Sequence, residues 1–149
     1  MVNNDARLVR IVDNVGTYTD QRRWNDLQEL FAESVVLDYS SFTGQNAEHL
    51  SPKQIIERWA GFLPGFDITQ HKMINHAVEA RADGSWGVHA DVRAFHFIDG
   101  VEGGTAWVVD GSYDFTVNQE GRITMMRLNF EKTLGNNDLP NIAIERMKS

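Results

Sequence analysis

Cysteine, positive charge and long apolar stretches are scarce or missing in this chain of 149 residues, and each absence excludes a class of protein. Without cysteine there is no disulfide framework, no catalytic thiolate and no thiolate metal site. Lysine and arginine number 14 against 21 aspartates and glutamates, and the formal net charge is -7. Nucleic acids and anionic membrane surfaces bind concentrated positive charge, so we expect neither as a partner.

Apolar runs are too short for a membrane span, which needs roughly 18 consecutive apolar residues. The first residues, MVNNDARLVRIVDNVG, have neither the positive flank nor the continuous apolar stretch of a signal peptide. We therefore expect a cytoplasmic protein. The length predicts a single domain over residues 1–149 with a substantial core, in which residues 135–149 form a C-terminal tail.

Hydrophobic periodicity makes the first half of the chain helical. Two helices are indicated by apolar residues at helical spacing on either side of a break at residues 17–20: Leu8, Ile11, Val12 and Val15, then Trp24, Leu27 and Phe31. Residues 35–39 are typical of a short strand. Ser51, Pro52 and Gln54 form a capping box with proline at the first helical position, which predicts a third helix ending near Phe62.

Strand patterns dominate from residue 69 onward. Four alternating segments, in TQHKMINHAVEA, SWGVHADVRAFHFID, TAWVVDGSYDFTV and RITMMRLNFEKTL, are separated by turns that contain glycine. They predict an antiparallel meander. Three helices followed by one curved, mostly antiparallel sheet predict an α+β domain with the helices on one face.

The two faces of the third long strand differ in chemistry. By period two, Trp107, Val109, Tyr113, Phe115 and Val117 share one face, while Val108, Asp110, Ser112 and Asp114 share the other. Three short helices cannot cover both faces. We expect the aromatic face to pack against another subunit, giving a homo-oligomer (a dimer or trimer), and the mixed polar face to line a cavity under the helices.

Four sequence blocks carry a family resemblance: DQRRW (20–24), LDYSSF (37–42), TQH (69–71) and VRAFH (92–96). Together with the order of elements, they resemble the cone of the nuclear transport factor 2-like superfamily, in its SnoaL-like branch, over about residues 5–134. Within that superfamily the chain resembles the scytalone dehydratases, and Tyr39 follows Trp24 by the same 15 residues as in their pattern. Bile acid dehydratases and lindane dehydrochlorinase are similar at the same places.

The resemblance implies a cofactor-independent lyase or isomerase that acts on a small, largely apolar cyclic molecule. It implies that His71 transfers protons, that Asp20 orients it, and that Tyr39 and Tyr18 donate hydrogen bonds to a developing oxyanion. The family's second histidine corresponds to His96, which would contact substrate oxygens or carry a proton to the leaving group. The remaining residues expected to bind substrate are Phe42, Trp59, Phe62, Met73, Asp110 and Ser112.

Each of these residues also has a purely structural interpretation. Asp20 is a favoured N-cap for the helix that follows it. His71 could be a surface histidine, Tyr39 a strand-favouring aromatic residue, and His96 a core histidine between Phe95 and Phe97. At the position of the family's first tyrosine this chain has Thr19, with Tyr18 one residue earlier.

Four histidines on predicted strands raise the question of a metal: His71, His76, His89 and His96. Residues five or seven apart on a strand point to opposite faces, so these pairs are not expected to chelate, and we expect no metal and no cofactor.

Two other functions stay open for this fold, a non-catalytic module for binding or assembly and the β-subunit of a ring-hydroxylating dioxygenase. The tail combines turn-forming residues with Pro140 and scattered apolar residues, so it is either frayed or laid over the pocket mouth or a neighbouring subunit.

Overall fold

A computed structural model describes residues 4–149; residues 1–3, which the single-domain expectation includes, lie outside the described residues. The helices are α1 (Asn4–Asp20), α2 (Trp24–Gln28), α3 (Ser40–Thr43), α4 (Pro52–Ala60) and α5 (Leu139–Lys148). The strands are β1 (Phe31–Asp38), β2 (Glu48–Leu50), β3 (Ile68–Ala80), β4 (Trp86–Phe97), β5 (Ala106–Val117) and β6 (Ile123–Gly135), and a 3₁₀ turn spans Leu63–Gly65.

The strands form one sheet in the order β2-β1-β6-β5-β4-β3. The four long strands pair as an antiparallel meander, and β1 joins β6 in parallel, so the sheet is mixed. The predicted α+β class, with helices packed on a mostly antiparallel sheet, is confirmed. The capping box is also confirmed: the Ser51 hydroxyl accepts from the Gln54 amide, and the Gln54 side chain accepts from the Ser51 amide.

The first two helices differ from the prediction. There is no break at residues 17–20, because α1 continues through Asp20. The second helix is a single short turn that ends at Gln28, and Phe31 opens β1 instead of belonging to a helix. The N-cap of α2 is Arg23, so capping is not what Asp20 does.

The assignment of the two sheet faces was wrong and is reversed in the structure. Trp107, Val109 and Tyr113 face the helices, while the polar residues of β5 lie on the outer face. The physical reason is the larger apolar area of the aromatic face, whose burial under the helices contributes more to stability than burial of carboxylates would. The main core includes Leu8, Val12, Leu27, Phe31, Ile55, Val88, Phe115, Val117, Ile123 and Met126.

The C-terminal tail is a helix and is neither frayed nor extended. Pro140 stands in the first turn of α5, where its missing amide proton leaves no hydrogen bond unmade. Leu139 and Ala143 are fully buried against the second core cluster, which contains Leu63 and Phe66. The tail therefore packs over the 3₁₀ turn, and none of its residues is among those that line the cavity.

Helix α1 lies directly on β3. Gly16 is the point of closest approach, since a Cβ at this position would meet the His71 Cβ at 3.1 Å and the His71 carbonyl oxygen at 3.2 Å. Asp13, Gly16 and Asp20 share this face of the helix because they are spaced by three and four residues. Over residues 4–149, no helix combines the length and the apolar character that crossing a membrane requires.

We expect Gly16→Ala to lower the free energy of unfolding by about 1 kcal/mol, because the added methyl group pushes α1 away from β3. This loss is net of the gain in helix propensity from glycine to alanine, which is of similar size. Thr17→Ala, at an exposed position of the same helix, is the control and should be neutral or stabilising. Urea denaturation measures both. If Gly16→Ala stabilises the protein as much as Thr17→Ala does, the contact is not tight.

Candidate active site

A cavity of about 140 Å³ lies between the inner face of the sheet and the elements α1, α3, α4 and the 3₁₀ turn. Its polar lining residues are Thr19, Tyr39, His71, His96 and Tyr113. The remaining walls are aliphatic or aromatic, and include Val15, Phe42, Trp59, Phe62, Leu63, Met73, Val92, Trp107, Val109, Met126 and Leu128. No aspartate, glutamate, lysine or arginine is among the lining residues in the described part of the chain, so the cavity suits an uncharged molecule.

The Asp20 carboxylate joins the end of α1 to the beginning of β3. Its Oδ1 lies 2.7 Å from Nδ1 of His71 and accepts the Thr69 hydroxyl at 3.0 Å. Its Oδ2 accepts the backbone amide of His71 at 2.6 Å. The side chains of Asp20 and His71 are 18% and 12% exposed, so little water competes for these contacts. The carboxylate is held on both of its oxygens.

This arrangement determines which nitrogen of His71 carries the proton. A carboxylate only accepts hydrogen bonds, so Nδ1 must be the protonated nitrogen that donates to Asp20. The other nitrogen, Nε2, is then unprotonated in the neutral ring, and the His71 side chain lines the cavity. A basic nitrogen is therefore available beside a largely apolar cavity.

His96 is a second imidazole of the cavity and is kept uncharged. Its Nδ1 donates to the Trp107 carbonyl oxygen at 3.1 Å, and its ring lies 5.9 Å from that of His71. Burial first, and the charge on His71 second, lower the pKa of His96 to about 4. At neutral pH this ring is an acceptor of hydrogen bonds and not a cation.

Two phenols complete the polar lining. Burial raises the pKa of Tyr39 well above its ordinary value, and the neighbouring Tyr113 raises it further through charge and a hydrogen bond. Burial also raises the pKa of Tyr113. The hydrogen bond that Tyr39 donates to Tyr113 lowers this pKa, and the charge of Asp20 raises it by a smaller amount. Both side chains therefore remain hydrogen-bond donors at neutral pH.

The structure brings together most of the residues that the sequence suggested for the site. His71, His96, Tyr39, Phe42, Trp59, Phe62 and Met73 all line the cavity. Asp20 is one layer behind, in contact with His71. Tyr18 is not among the lining residues; because α1 continues past this point, the neighbouring Thr19 faces the cavity and Arg23 lies 4.5 Å above the Tyr18 ring.

The expectation that Asp110 and Ser112 bind substrate from within the pocket is corrected, because both lie on the outer face of β5. Asp110 is engaged by the guanidinium of Arg93 through bonds of 2.7 and 2.6 Å, which lower the pKa of this carboxyl. The Ser112 hydroxyl accepts from Asn129 at 3.1 Å. The match of β5 to the dehydratase pattern could not reveal which face of this strand points into the cavity.

His71 and His76 are five residues apart on β3, yet they lie on the same side of the sheet, contrary to the expectation from regular alternation. A register shift between Ile74 and Ala77 is a β-bulge, and His76 reaches Asp13 of α1, on the same side of the sheet as His71. Across residues 4–149, no cluster of three or more histidine, aspartate or glutamate side chains has the geometry to hold a metal ion.

Besides Thr19, the sequence did not indicate Tyr113 as a lining residue, nor Thr69 and Arg22, which lie outside the lining. Tyr113 was assigned to the wrong face, although its alternation with Phe115 places it beside core residues. Thr69 lies within one of the resemblance blocks, but nothing local indicated its bond to Asp20. Arg22 has a left-handed backbone (φ 58°), donates weakly to the Phe66 carbonyl at 3.4 Å, and has a buried Nη1 with no hydrogen-bond partner among the described residues.

The low pKa of His96 predicts a loss of stability in acid. An unfolded histidine takes a proton below about pH 6.5 and folded His96 only near pH 4, so the unfolded state binds more protons between these values. Between about pH 7 and pH 4.5 the wild-type protein should lose roughly 2 kcal/mol of unfolding free energy through this group.

Urea denaturation at the two pH values tests this. His96→Phe should have a lower unfolding free energy than the wild type at pH 7, but it should not show the loss between the two pH values that comes from His96. His49→Gln, at an exposed position, should show the same loss as the wild type. An equal acid loss in wild type and His96→Phe would show that His96 titrates alike in both states.

The SnoaL-like domain family matches residues 2–126 of the chain. Among solved structures, the Kfla4162 protein of Kribbella flavida superposes with a TM-score of 0.82 at 21% identity, covering 94% of this chain and 97% of that one. A candidate scytalone dehydratase of Novosphingobium aromaticivorans gives 0.72 at 18% identity, covering 89% and 87%. No protein of curated function matches.

A hexachlorocyclohexane dehydrochlorinase of Novosphingobium barchaimii, LinA-type3, has a TM-score of 0.72 at 14% identity, with 89% of both chains covered. These identities are too low to show more than a shared fold. The family match covers most of the chain and agrees with the cone that the structure displays. The chain belongs to the SnoaL-like domain family.

Proposed function

We propose that this protein is a cofactor-independent lyase or isomerase that removes a proton from a small, uncharged, cyclic substrate. The observation that carries the proposal is the contact of the Asp20 carboxylate with Nδ1 of His71 at 2.7 Å, beside a largely apolar cavity that His71 lines. A neutral imidazole is a common base for abstracting a proton from carbon at neutral pH.

In the reaction, Nε2 of His71 takes a proton from the carbon next to a carbonyl, and the electron pair of that C–H bond moves onto the carbonyl oxygen. Asp20 stabilises the resulting imidazolium and holds the ring in place. Tyr113 accepts the hydrogen bond of Tyr39 and donates its own to the enolate oxygen, and neither phenol loses its proton. This donor supplies stabilisation where negative charge develops.

In the second step His71 gives the proton back, and the two reaction types differ in the atom that receives it. In an isomerisation, the imidazolium gives its proton to another carbon of the enolate. In an elimination, the proton goes to a departing hydroxyl, which leaves as water while the electron pair of the enolate forms a double bond. His96, uncharged at neutral pH, accepts a hydrogen bond from a substrate hydroxyl and is not the acid.

The substrate class follows from the walls of the cavity. Aromatic rings border it on several sides; Trp107 lies 4.5 Å from His96 between ring centroids, and Phe42 stacks near Trp107. Flat or puckered rings pack well against such surfaces. Because charged groups are missing from the lining that the structure describes, a carboxylate or phosphate on the substrate would be poorly solvated there.

Deuterium exchange tests the proposal without knowledge of the natural substrate. We expect the protein to catalyse exchange at the α-carbons of 2-tetralone, an uncharged bicyclic ketone, in D₂O followed by NMR. His71→Gln should slow the catalysed exchange by about 10²- to 10⁴-fold, since it removes the base. Asp20→Asn should also slow it, because the amide does not stabilise the imidazolium.

His89→Gln is the matched control, because His89 also pairs with a carboxylate, Asp114 at 2.8 Å, but on the outer face of the sheet. It should exchange protons at the wild-type rate. Circular dichroism confirms that each variant is folded. A folded wild-type protein that binds 2-tetralone but exchanges no faster than His71→Gln is a binding module, and the catalytic proposal is then wrong.

We further propose that the protein forms a homo-oligomer through the outer face of the sheet. Apolar side chains lie on adjacent strands there: Ile68 beside Phe97, and Phe95 beside Val108 and then Leu134. Ile68 is 61% and Leu134 41% exposed. Size-exclusion chromatography with light scattering should give a dimer or trimer for the wild type and a monomer for Phe97→Glu; a monomeric wild type would contradict this.

A further inference from the structure

A second contact between an aspartate and a histidine joins α1 to β3. Oδ1 of Asp13 lies 2.6 Å from Nε2 of His76, whose side chain is 15% exposed, while that of Asp13 is 42% exposed. Neither residue lines the cavity. Asp13 and Asp20 are seven residues apart, about 10 Å along the helix axis, with Gly16 between them. The helix is therefore fixed to the strand at three successive levels.

His76 reaches α1 only because β3 is irregular at this point. His71 and Met73 face the helix, so regular alternation would place residue 76 on the outer face of the sheet. The bulge between Ile74 and Ala77 shifts the alternation by one residue and places His76 inward. Asn75, within the bulge, has a left-handed backbone with φ of 57°.

The bulge destabilises β3 in two ways, and pairing with β4 does not require it. A left-handed residue other than glycine is strained, and a bulge interrupts the hydrogen-bond ladder of an edge strand that has a neighbour on one side only. Asn75 recovers one hydrogen bond, to Asp91 at 2.9 Å. On the inner face, the bulge makes possible the contact between His76 and Asp13 and the packing of Val78 against the main core.

We propose that Asp13 and His76 are positioning residues for the reacting pair, which hold α1 in the register that keeps Asp20 on His71. This rests on the proposed function in taking Asp20 and His71 as that pair. A helix is stiff along its length, so a contact two turns from Asp20 limits how far the carboxylate can move. Without it, α1 keeps the close approach at Gly16 and the hydrogen bonds of Asp20 but loses the hydrogen bond two turns before Asp20.

The experiment measures the geometry of the pair and needs no substrate. The backbone amide of His71 donates to Asp20, so its hydrogen exchange reports separation of α1 from β3. The amide of Phe115, a fully buried residue of a central strand, reports global unfolding. Asp13→Ala and His76→Gln should each accelerate exchange at His71 about tenfold relative to Phe115.

Two comparisons separate positioning from general stabilisation. Asp13→Asn retains an acceptor oxygen for His76 and should keep most of the protection of His71, and His89→Gln should leave it unchanged. Long-range ¹H–¹⁵N spectra should show the His71 ring proton on Nδ1 in the wild type and distributed over both nitrogens in Asp13→Ala.

Equal acceleration at His71 and Phe115 in Asp13→Ala, or no change at His71, overturns the positioning role. Neither result depends on turnover, so the positioning role can fail while the proton-transfer proposal stands. Conversely, Asp13→Ala could accelerate hydrogen exchange at the His71 amide although the wild-type protein does not catalyse exchange of 2-tetralone. That result would support the positioning role and contradict the proposed reaction.

Discussion

The carboxylate of Asp20 is the point on which the geometry of the site depends. It is the last residue of α1, and it accepts three hydrogen bonds from Thr69 and His71 of β3. These bonds anchor the helix to an edge strand, select the tautomer of His71 and leave Nε2 as the unprotonated nitrogen of a ring that lines the cavity. A shift of α1 by a few tenths of an ångström would loosen all three, which is why the close approach at Gly16 matters.

The other polar groups of the cavity are uncharged for a common reason. Burial penalises charge, so it lowers the pKa of His96 and raises those of Tyr39 and Tyr113. The result is a space with one base, supported by a carboxylate behind it, and several neutral groups that donate or accept hydrogen bonds. This division of roles suits a reaction in which negative charge appears on an oxygen and then disappears.

Local patterns predicted α4 and the four long strands well, because the causes of these elements are local. The capping box at Ser51 and the alternation of the four long strands depend on neighbouring residues and were confirmed. The faces of the sheet were not predictable in this way, since which side of β5 is inward depends on where the helices pack. A preference for polar residues at a binding site led to Asp110 and Ser112, whereas the cavity is bordered by Trp107 and Tyr113.

Two details of the site had no local signal. The bulge that turns His76 inward contains no glycine or proline, only Asn75 in a left-handed conformation. Because α1 continues through Asp20, Thr19 and not Tyr18 borders the cavity. Successive side chains of a helix differ in direction by about 100° around its axis, so only one of these two neighbours can face the cavity. Both follow from the packing of α1 on β3, which a sequence pattern does not contain.

The most direct test of this account is a crystal structure of the protein with 2-naphthol, a planar and stable mimic of the enol of 2-tetralone. We expect the naphthol ring in the cavity, its oxygen within about 3 Å of the Tyr39 or Tyr113 hydroxyl, Nε2 of His71 over the adjacent ring carbon, and the bond between Asp20 and His71 intact. A naphthol bound elsewhere, or one that lies in the cavity with His71 turned away from it, would contradict the account.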